Sequence, residues 1–126
     1  MIRMTVIAVA LALGACATAP NAEAPIRADG LATLGQPTRV GRLVVTPRAL
    51  VEDSRCPINA RCIWAGRVVV RSQIDGIGWR ETRDLVLGEP QAVREDRVSL
   101  TSARPDKQTG VDVPPGAYLF GFEGGR

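Results

Sequence analysis

The residues best equipped for chemistry lie in one stretch from Glu52 to Gly66, which reads EDSRCPINARCIWAG. Its two cysteines, Cys56 and Cys62, are too far apart for a C-x-x-C redox motif. No lysine or histidine lies near them in sequence to lower the pKa of a thiol. The stretch therefore favours a structural or binding role over disulfide exchange.

Two interpretations of this stretch are open. In the structural one, Asp53 and Ser54 cap a turn through side-chain hydrogen bonds to the backbone. Arg55 or Arg61 then pairs with Asp53, and Trp64 packs over the cysteines. In the functional one, the two arginines and the indole form a candidate loop that binds an anion or a partner. The sequence thus nominates four candidate binding residues: Asp53, Arg55, Arg61 and Trp64.

The composition of the chain argues against several kinds of catalysis. The chain has no histidine, which is the commonest general base and nitrogen metal ligand. Two adjacent acid pairs, Glu52-Asp53 and Glu95-Asp96, could suggest a glycosidase, which needs two facing carboxylates. Neighbouring residues on a strand point to opposite faces, however, and nothing in the sequence brings the pairs together. We expect no enzymatic activity, no catalytic residue, no metal and no cofactor.

The charge pattern predicts a mixed surface. The net charge is only +3, and acids such as Asp75, Glu81 and Asp84 lie among the arginines of residues 39 to 83. The sequence lacks a basic cluster interleaved with aromatic residues on which bases could stack. We therefore expect no nucleic acid among the partners.

The first sixteen residues have the pattern of an export signal. Arg3 precedes an apolar run from Val6 to Leu13, which is too short to span a bilayer. The run ends in LGAC at residues 13 to 16, which resembles the lipobox of bacterial lipoproteins. This resemblance implies a signal peptide over residues 1–15 and lipidation of Cys16. Because Ala17 rather than Asp follows the cysteine, it also implies attachment to the periplasmic face of the outer membrane.

An ordinary signal peptide cleaved near Ala19 is the alternative. With Cys16 lipidated, the two cysteines left in an exported chain should pair. We therefore predict a disulfide between Cys56 and Cys62, with a stabilisation of roughly 2 kcal/mol on the chain-entropy model.

The segment after the lipobox predicts a tether. Residues 16–37 are rich in Ala, Pro, Gly and Thr and hold few large apolar groups. Such a composition cannot offset the entropy of ordering the chain, so we expect a disordered tether followed by a folded domain over 38–126. Ala32 and Leu34 could already belong to the folded part.

The remaining sequence predicts strands. Its apolar residues form short valine-rich runs separated by Gly and Pro, which is typical of strands rather than helices. We predict strands at 39–46, 48–52, 66–74, 79–87, 97–103 and 117–123. Together they predict an all-β fold, a small antiparallel β-sandwich or partly open barrel of five to six strands.

Two patterns predict the core of this fold. Gly76 can take the positive φ of a type II′ turn, in a hairpin that pairs Ile74 with Trp79. This register gives one apolar face, made of Val68, Val70, Ile74, Trp79 and Leu85, and one polar face, made of Arg71, Gln73, Arg80 and Thr82. In the last strand, three aromatic residues share one parity and are expected in the core: Tyr118, Phe120 and Phe122.

Several segments together resemble one group of proteins. The segments are LGQPTRVGRLVVTP, VEDSRCPINARCIWAGRVVV, GWRETRDLVLGEP and the terminal AYLFGFEGG. They resemble small, functionally uncharacterised lipoproteins and periplasmic proteins of Gram-negative bacteria, whose hallmark is DSRCP, a short spacer and then Cys, Ile or Val, Trp, Ala, Gly. The resemblance covers residues 34 to 126 and implies the compartment and the disulfide, but no catalytic residue.

These inferences predict an outer-membrane-anchored periplasmic lipoprotein. It would act as a non-catalytic binding or accessory module through the loop that the disulfide closes. Its expected partners are the membrane, through the N-terminal lipid, and a periplasmic protein or envelope polymer. The alternative is an inhibitor of an envelope-attacking hydrolase, either a lysozyme or a protease, because a rigid loop can enter an active-site cleft.

Overall fold

The computed structural model describes Gly14 and residues 24–126. Within this part the chain forms eight strands and one short 3-10 helix at Pro115–Ala117. The strands are β1 (Leu31–Ala32), β2 (Thr38–Val40), β3 (Leu43–Asp53), β4 (Val68–Gly76), β5 (Trp79–Val86), β6 (Gln91–Val93), β7 (Asp96–Arg104) and β8 (Leu119–Gly125).

The strands form two four-stranded antiparallel sheets. One has the order β2-β3-β4-β5 and the other β1-β8-β7-β6. An isolated bridge between Leu87, just after β5, and Leu100 in β7 joins the two sheets along one side. The predicted all-β antiparallel fold is confirmed. The described residues hold eight strands rather than five or six. The predicted strands at 39–46 and 48–52 are wrong as a division, because β3 is continuous through Pro47. The edge strands β1, β2 and β6 are only two or three residues long and leave little pattern in the sequence.

The core lies between the inner faces of the two sheets. Phe120, Ile74, Leu85 and Leu100 are its largest fully buried side chains. The three aromatic residues of one parity are all buried, as predicted. The rings of Tyr118 and Phe120 stack with centroids 5.7 Å apart. Tyr118 therefore packs as a core residue while its hydroxyl remains able to reach a polar group.

The β4–β5 hairpin has the predicted faces but a different register. Gly76 lies opposite Trp79, and the positive φ of 77° falls at Gly78 instead of Gly76. The reason is that the indole of Trp79 lies against Gly76, where a Cβ would collide with the ring. The pairing differs from the predicted one by two residues, which is the period of side chains along a strand. The same apolar residues therefore still face the core: Val68, Val70, Ile74 and Leu85.

The folded domain begins before residue 38, where the sequence analysis placed its boundary. Ala32 in β1 pairs with Phe120 and is fully buried. The N–H of Phe122 also donates to the carbonyl of Gly30 over 2.8 Å. These contacts order a segment of low apolar content because it adds backbone hydrogen bonds to the edge of an existing sheet. Residues 24–37 thus contribute to the domain rather than to a tether.

The predicted signal peptide and the lipidation site Cys16 lie outside the described residues, apart from Gly14. The tether prediction for residues 16–23 lies outside them too. Among the residues that are described, no helix has both the length and the apolar character needed to cross a bilayer.

Strand β3 runs along the whole sandwich and separates two ends of the molecule. Near its start, Val44 lies opposite Asp75, next to the turn at Ile77 and Gly78. Its last residue, Asp53, leads into the segment with the cysteines. Nine residue steps separate Val44 from Asp53, up to roughly 30 Å for an extended strand. We refer to these as the hairpin end (residues 76–79) and the disulfide end.

Candidate functional site

The disulfide end carries a loop of residues 56–66, which we call the disulfide loop. Cys56 and Cys62 form the predicted disulfide, with Cα atoms 5.8 Å apart. At the base of the loop, the Ser54 N–H donates to the Arg67 carbonyl over 2.9 Å, and the Arg67 N–H donates to Ser54 Oγ over 3.0 Å. Gly66 has a φ of 64° and lies so close to Ser54 that a Cβ would collide with the Ser54 carbonyl. The loop is therefore closed by a covalent bond and by its backbone.

Asp53, just before the loop, is a buried carboxylate. Its side chain is only 7% exposed. Oδ1 accepts a hydrogen bond from Arg55 Nε at 2.9 Å, and Oδ2 accepts one from Arg55 Nη2 at 2.9 Å and one from the Tyr118 hydroxyl at 2.7 Å. Burial raises the pKa of Asp53, but the hydrogen bonds from Arg55 and Tyr118 outweigh it and lower this pKa to about 2.

Arg55 uses its other donors within the protein. Its Nη1 donates to the Ala103 carbonyl at 2.9 Å and its Nη2 to the Pro105 carbonyl at 3.0 Å. Lys107 donates in turn to the backbone carbonyl of Asp53 over 2.7 Å. The structural interpretation therefore holds for Asp53 and Arg55, which join β3 to the segment after β7 and are not available to a ligand.

The tip of the loop is held by a second segment, residues 105–111. The N–H of Ile58 donates to the carbonyl of Lys107 over 2.9 Å. The N–H of Thr109 donates to Asn59 Oδ1, also over 2.9 Å. The loop is thus supported at its base, through its disulfide and at its tip.

Four side chains on this loop point to solvent. Ile63 is 98% exposed, Ile58 is 64% exposed and Trp64 is 61% exposed. Arg61 is exposed as well and makes no hydrogen bond or ion pair with any residue that the structure describes. Trp64 does not pack away as the structural interpretation required. The structure therefore divides the four predicted residues, since Asp53 and Arg55 hold the loop while Arg61 and Trp64 face outward. Sequence reasoning missed Ile58 and Ile63, although their exposure follows from the short disulfide-closed loop.

Arg61 differs from the eight described arginines that form ion pairs with carboxylates. Asp96 is nearly buried and accepts two hydrogen bonds from Arg42 Nε, at 3.0 and 2.9 Å. Besides the pair of Arg55 with Asp53, the other ion pairs are Arg27 with Asp29, Arg42 with Glu95, Arg67 with Glu52, Arg71 with Asp84, Arg80 with Asp75, and Arg83 and Arg94 with Glu81. These pairs produce the mixed surface that the sequence predicted. Both adjacent acid pairs, Glu52-Asp53 and Glu95-Asp96, have arginine partners.

A depression of about 370 Å³ lies at the hairpin end. Ile77 and Trp79 line it together with Arg42 and Arg94. The Arg94 guanidinium lies over the Trp79 ring, 4.6 Å from its centroid. Sequence reasoning missed this arrangement, because Arg94 approaches the ring from a turn in which its own φ is 57°, a conformation that its residue type does not indicate.

The comparisons with known proteins add no relative. No family model, curated protein or solved structure matches this chain. Among the described residues, no group of three or more His, Cys, Asp or Glu side chains is placed to hold a metal ion.

Proposed function

We propose that the protein is a lipid-anchored periplasmic lipoprotein of the outer membrane that acts as a non-catalytic binding or accessory module. Its binding surface is the outward side of the disulfide loop, made of Ile58, Arg61, Ile63 and Trp64. The observation that carries the proposal is that these side chains are exposed and Arg61 has no partner in the described structure, while the loop beneath them is fixed.

A fixed loop suits recognition for an energetic reason. Binding costs about 0.5–1.5 kcal/mol for each side chain that must be immobilised, and more where the backbone must be ordered as well. The disulfide and the hydrogen bonds of Asn59 and Ile58 have already ordered this backbone. Tryptophan and arginine are also the residue types that contribute most often to the energetic centre of protein interfaces.

The chemistry of the surface favours a protein over a polymer. Ile58 and Ile63 offer large apolar area and no hydrogen-bonding side-chain group, and Trp64 adds an aromatic ring with one donor. Such a set fits an apolar protein patch that includes an acidic residue opposite Arg61. An envelope polymer rich in hydroxyl groups would leave the two isoleucines without a matching surface.

Capture of partners from intact envelopes tests the proposal. Arg61→Ala and Trp64→Ala should each lose a partner that the native chain retains, because both remove an exposed contact without changing the fold. Arg39→Ala, which removes an exposed arginine from β2, is the matched control and should retain it. Unchanged partners for both loop variants, with unchanged thermal unfolding, would exclude the disulfide loop as the binding surface.

One observation favours a second candidate, an inhibitor of an envelope-attacking hydrolase. Glycoside hydrolases hold two carboxylates in their clefts, and Arg61 is an exposed cation on a rigid loop with no partner among residues 24–126. The purified protein should then slow a lysozyme or a serine protease at equimolar ratio, and Arg61→Ala should abolish the effect. Undiminished hydrolysis at stoichiometric excess would rule this candidate out.

A further inference from the structure

Strand β5 forms one edge of its sheet over its whole length. It pairs with β4 and, among the described residues, with no other strand. The other edge strands, β1, β2 and β6, are two or three residues long, whereas β5 has eight residues and no register shift against β4. Short strands and bulges are common devices that keep the edge of a sheet from pairing with another chain. β5 has neither device.

The backbone groups of β5 point alternately toward β4 and away from it. Just after the strand, the Leu87 N–H donates to the Val68 carbonyl over 2.9 Å, so the odd-numbered residues bond to β4. The Asp84 carbonyl points the other way, where it accepts a hydrogen bond of 2.6 Å from the Gln91 side chain. The N–H and C=O groups of residues 80, 82 and 84 therefore form the row that an added strand would meet.

The charges of β5 are complementary to themselves when two copies run antiparallel. The strand reads WRETRDLV, and Thr82 is the centre of its first part, WRETRDL. A two-fold axis at Thr82 places Arg80 of each copy opposite Asp84 of the other. It also places Glu81 of each copy opposite Arg83 of the other. Opposite charges directly across two strands stabilise the pairing, and like charges destabilise it.

Only an axis at Thr82 gives this complementarity within the charged part of the strand. Because even-numbered residues carry the outward backbone groups, even residues must face even residues, and a symmetric pair must be centred on a residue. A pair centred on Arg80, Glu81, Arg83 or Asp84 would place that charged residue against its own copy. Backbone direction and charge therefore select the same register.

The pairing extends rows of alternating charge that each chain already contains. On the outer face, Asp75 lies opposite Arg80, and Arg71 lies opposite Asp84. Both couples form ion pairs within the chain. Across the axis, a row then runs from Asp75 and Arg80 to Asp84 and Arg71 of the second copy. The sign of the charge changes at every step, so the interface continues the pattern of the sheet.

On the inner face, Glu81 and Arg83 are half-buried charges at the edge. Glu81 accepts hydrogen bonds from Arg83 at 3.0 Å and from Arg94 at 3.1 Å within its own chain. Charges that point inward from an edge strand deter most added strands, because those strands offer them no partner. A second copy offers Arg83 to Glu81 and Glu81 to Arg83. The same charges therefore disfavour other strands and favour this one.

We propose that two copies of the chain pair through β5, antiparallel about Thr82, so that their β2-β3-β4-β5 sheets form one continuous sheet. Such an interface is isologous, because the same strand serves on both sides. The paired segment ends where Trp79 of one copy faces Leu85 of the other, and it leaves the hairpin turn and the disulfide loop outside. The proposal does not depend on the proposed function, but the dimer would present two disulfide loops to a partner.

Crosslinking of the full chain in intact cells tests the pairing. Thr82 is exposed and meets its own copy at the axis, where the Cα atoms of a hydrogen-bonded pair are about 5.5 Å apart. With a short bismaleimide, Thr82→Cys should therefore give a covalent dimer on denaturing gels. Thr101→Cys is the matched control, since Thr101 is exposed on β7, which has a neighbour on each side. This control should stay monomeric, and equal dimer from both positions, or none from Thr82→Cys, would overturn the proposal.

A charge exchange between copies tests the register. In the Thr82→Cys chain, Glu81→Arg and Arg83→Glu each set like charges against each other in a homodimer, so each should reduce crosslinking roughly tenfold. In a mixed pair, the introduced arginine faces the introduced glutamate, and the native Arg83 faces the native Glu81. Coexpression of the two variants, with tags of different mass, should therefore restore a mixed dimer.

The charges within each variant are the same in the mixture as alone, so only pairing between chains can restore the dimer. Failure of two folded variants to form a mixed dimer would overturn the proposal. Should either variant fail to fold, Arg80→Asp with Asp84→Arg makes the same exchange on the exposed outer face and is judged by the same result.

Gln91 allows a measurement of the opposite sign. Its side chain occupies the Asp84 carbonyl in the single chain, where the Arg80 N–H of the second copy would bind. Gln91→Ala removes this competitor, so it should raise the crosslinking of Thr82→Cys severalfold. A yield that is unchanged or lower would mean that the copies do not meet at the edge of β5.

Discussion

The hydroxyl of Tyr118 donates a hydrogen bond of 2.7 Å to Oδ2 of Asp53, which also forms a two-point ion pair with Arg55. Tyr118 belongs to the aromatic core next to β8, whereas Asp53 ends β3 in the other sheet. This bond therefore ties the base of the disulfide loop to the centre of the protein. The rigidity of the proposed binding surface depends on a buried polar cluster several residues away from it.

The low pKa of Asp53 predicts a pH dependence of stability. A carboxyl group with a pKa lower in the folded than in the unfolded state stabilises the protein above its unfolded pKa, near 3.8, and loses that contribution as pH falls through about 2. At about 1.4 kcal/mol for each unit of pKa, we expect Asp53→Asn to lower the free energy of unfolding at pH 7 by about 2 kcal/mol. The substitution should also flatten the decline of this free energy between pH 4 and pH 2. Urea unfolding across this range measures both effects.

Asp112→Asn is the control for that experiment, because it removes an exposed carboxylate that takes no part in the cluster. Its unfolding curve should follow that of the native chain at each pH. If the free energy of unfolding of Asp53→Asn changed with pH in parallel with that of the native chain, the charge of Asp53 would not stabilise the folded state.

Tyr118→Phe keeps the ring in the core and removes only the hydrogen bond to Asp53. Since the acceptor is a charged and nearly buried carboxylate, we expect a loss of about 1–3 kcal/mol in the free energy of unfolding. A double-mutant cycle with Asp53→Asn isolates the coupling, which should be at least about 0.5 kcal/mol. Strictly additive losses in the double variant would contradict a direct role for this bond.

Gly66→Ala should disturb the disulfide loop more than an equivalent change elsewhere. Both Gly66 and Gly110 have a positive φ, but only at Gly66 would a Cβ meet backbone atoms, those of Ser54 and Arg55. We expect Gly110→Ala to cost about 1 kcal/mol from its backbone conformation alone and Gly66→Ala to cost clearly more. Thermal unfolding of the two variants gives the comparison, and equal losses would mean that the loop tolerates movement at its base.

Cys16→Ala tests the predicted lipid anchor. Without the thiol that carries the lipid, the protein should move from the outer-membrane fraction to the soluble or unprocessed fractions of the envelope, because the acyl chains supply the stable anchoring. Fractionation followed by mass spectrometry of the N-terminus measures this directly. A native chain that is already cleaved near Ala19 and carries no lipid would support the ordinary signal peptide instead.

The fold and the site were predictable from the sequence to different degrees. The buried faces of β4 and β5 followed from the alternation of apolar and polar residues. An error of two residues in the predicted register left these faces unchanged, because side chains repeat every two residues along a strand. The register itself was not predictable, because it depends on the contact between Trp79 and Gly76 across the hairpin. β1 was missed for a related reason, because this strand is ordered by its pairing with β8 and not by its own composition.

The same contrast applies to the candidate site. The disulfide followed from counting cysteines, and the four candidate residues lie within or next to the loop that it closes. Their division into internal and outward-facing residues depends on the carbonyls of Ala103 and Pro105, which lie about fifty positions away in sequence from Arg55. No local pattern could have indicated which of Arg55 and Arg61 pairs with Asp53.

We propose that the outward face of the disulfide loop binds a protein partner, and site-specific photo-crosslinking in living cells tests this most directly. A photoreactive residue at Ile63 is compared with one at Ile77, since both positions are almost fully exposed but lie at opposite ends. We expect a discrete protein adduct from position 63, none from position 77, and loss of the adduct in the presence of Arg61→Ala or Trp64→Ala. A protein adduct of equal yield from both positions, or one that persists in both variants, would contradict the account.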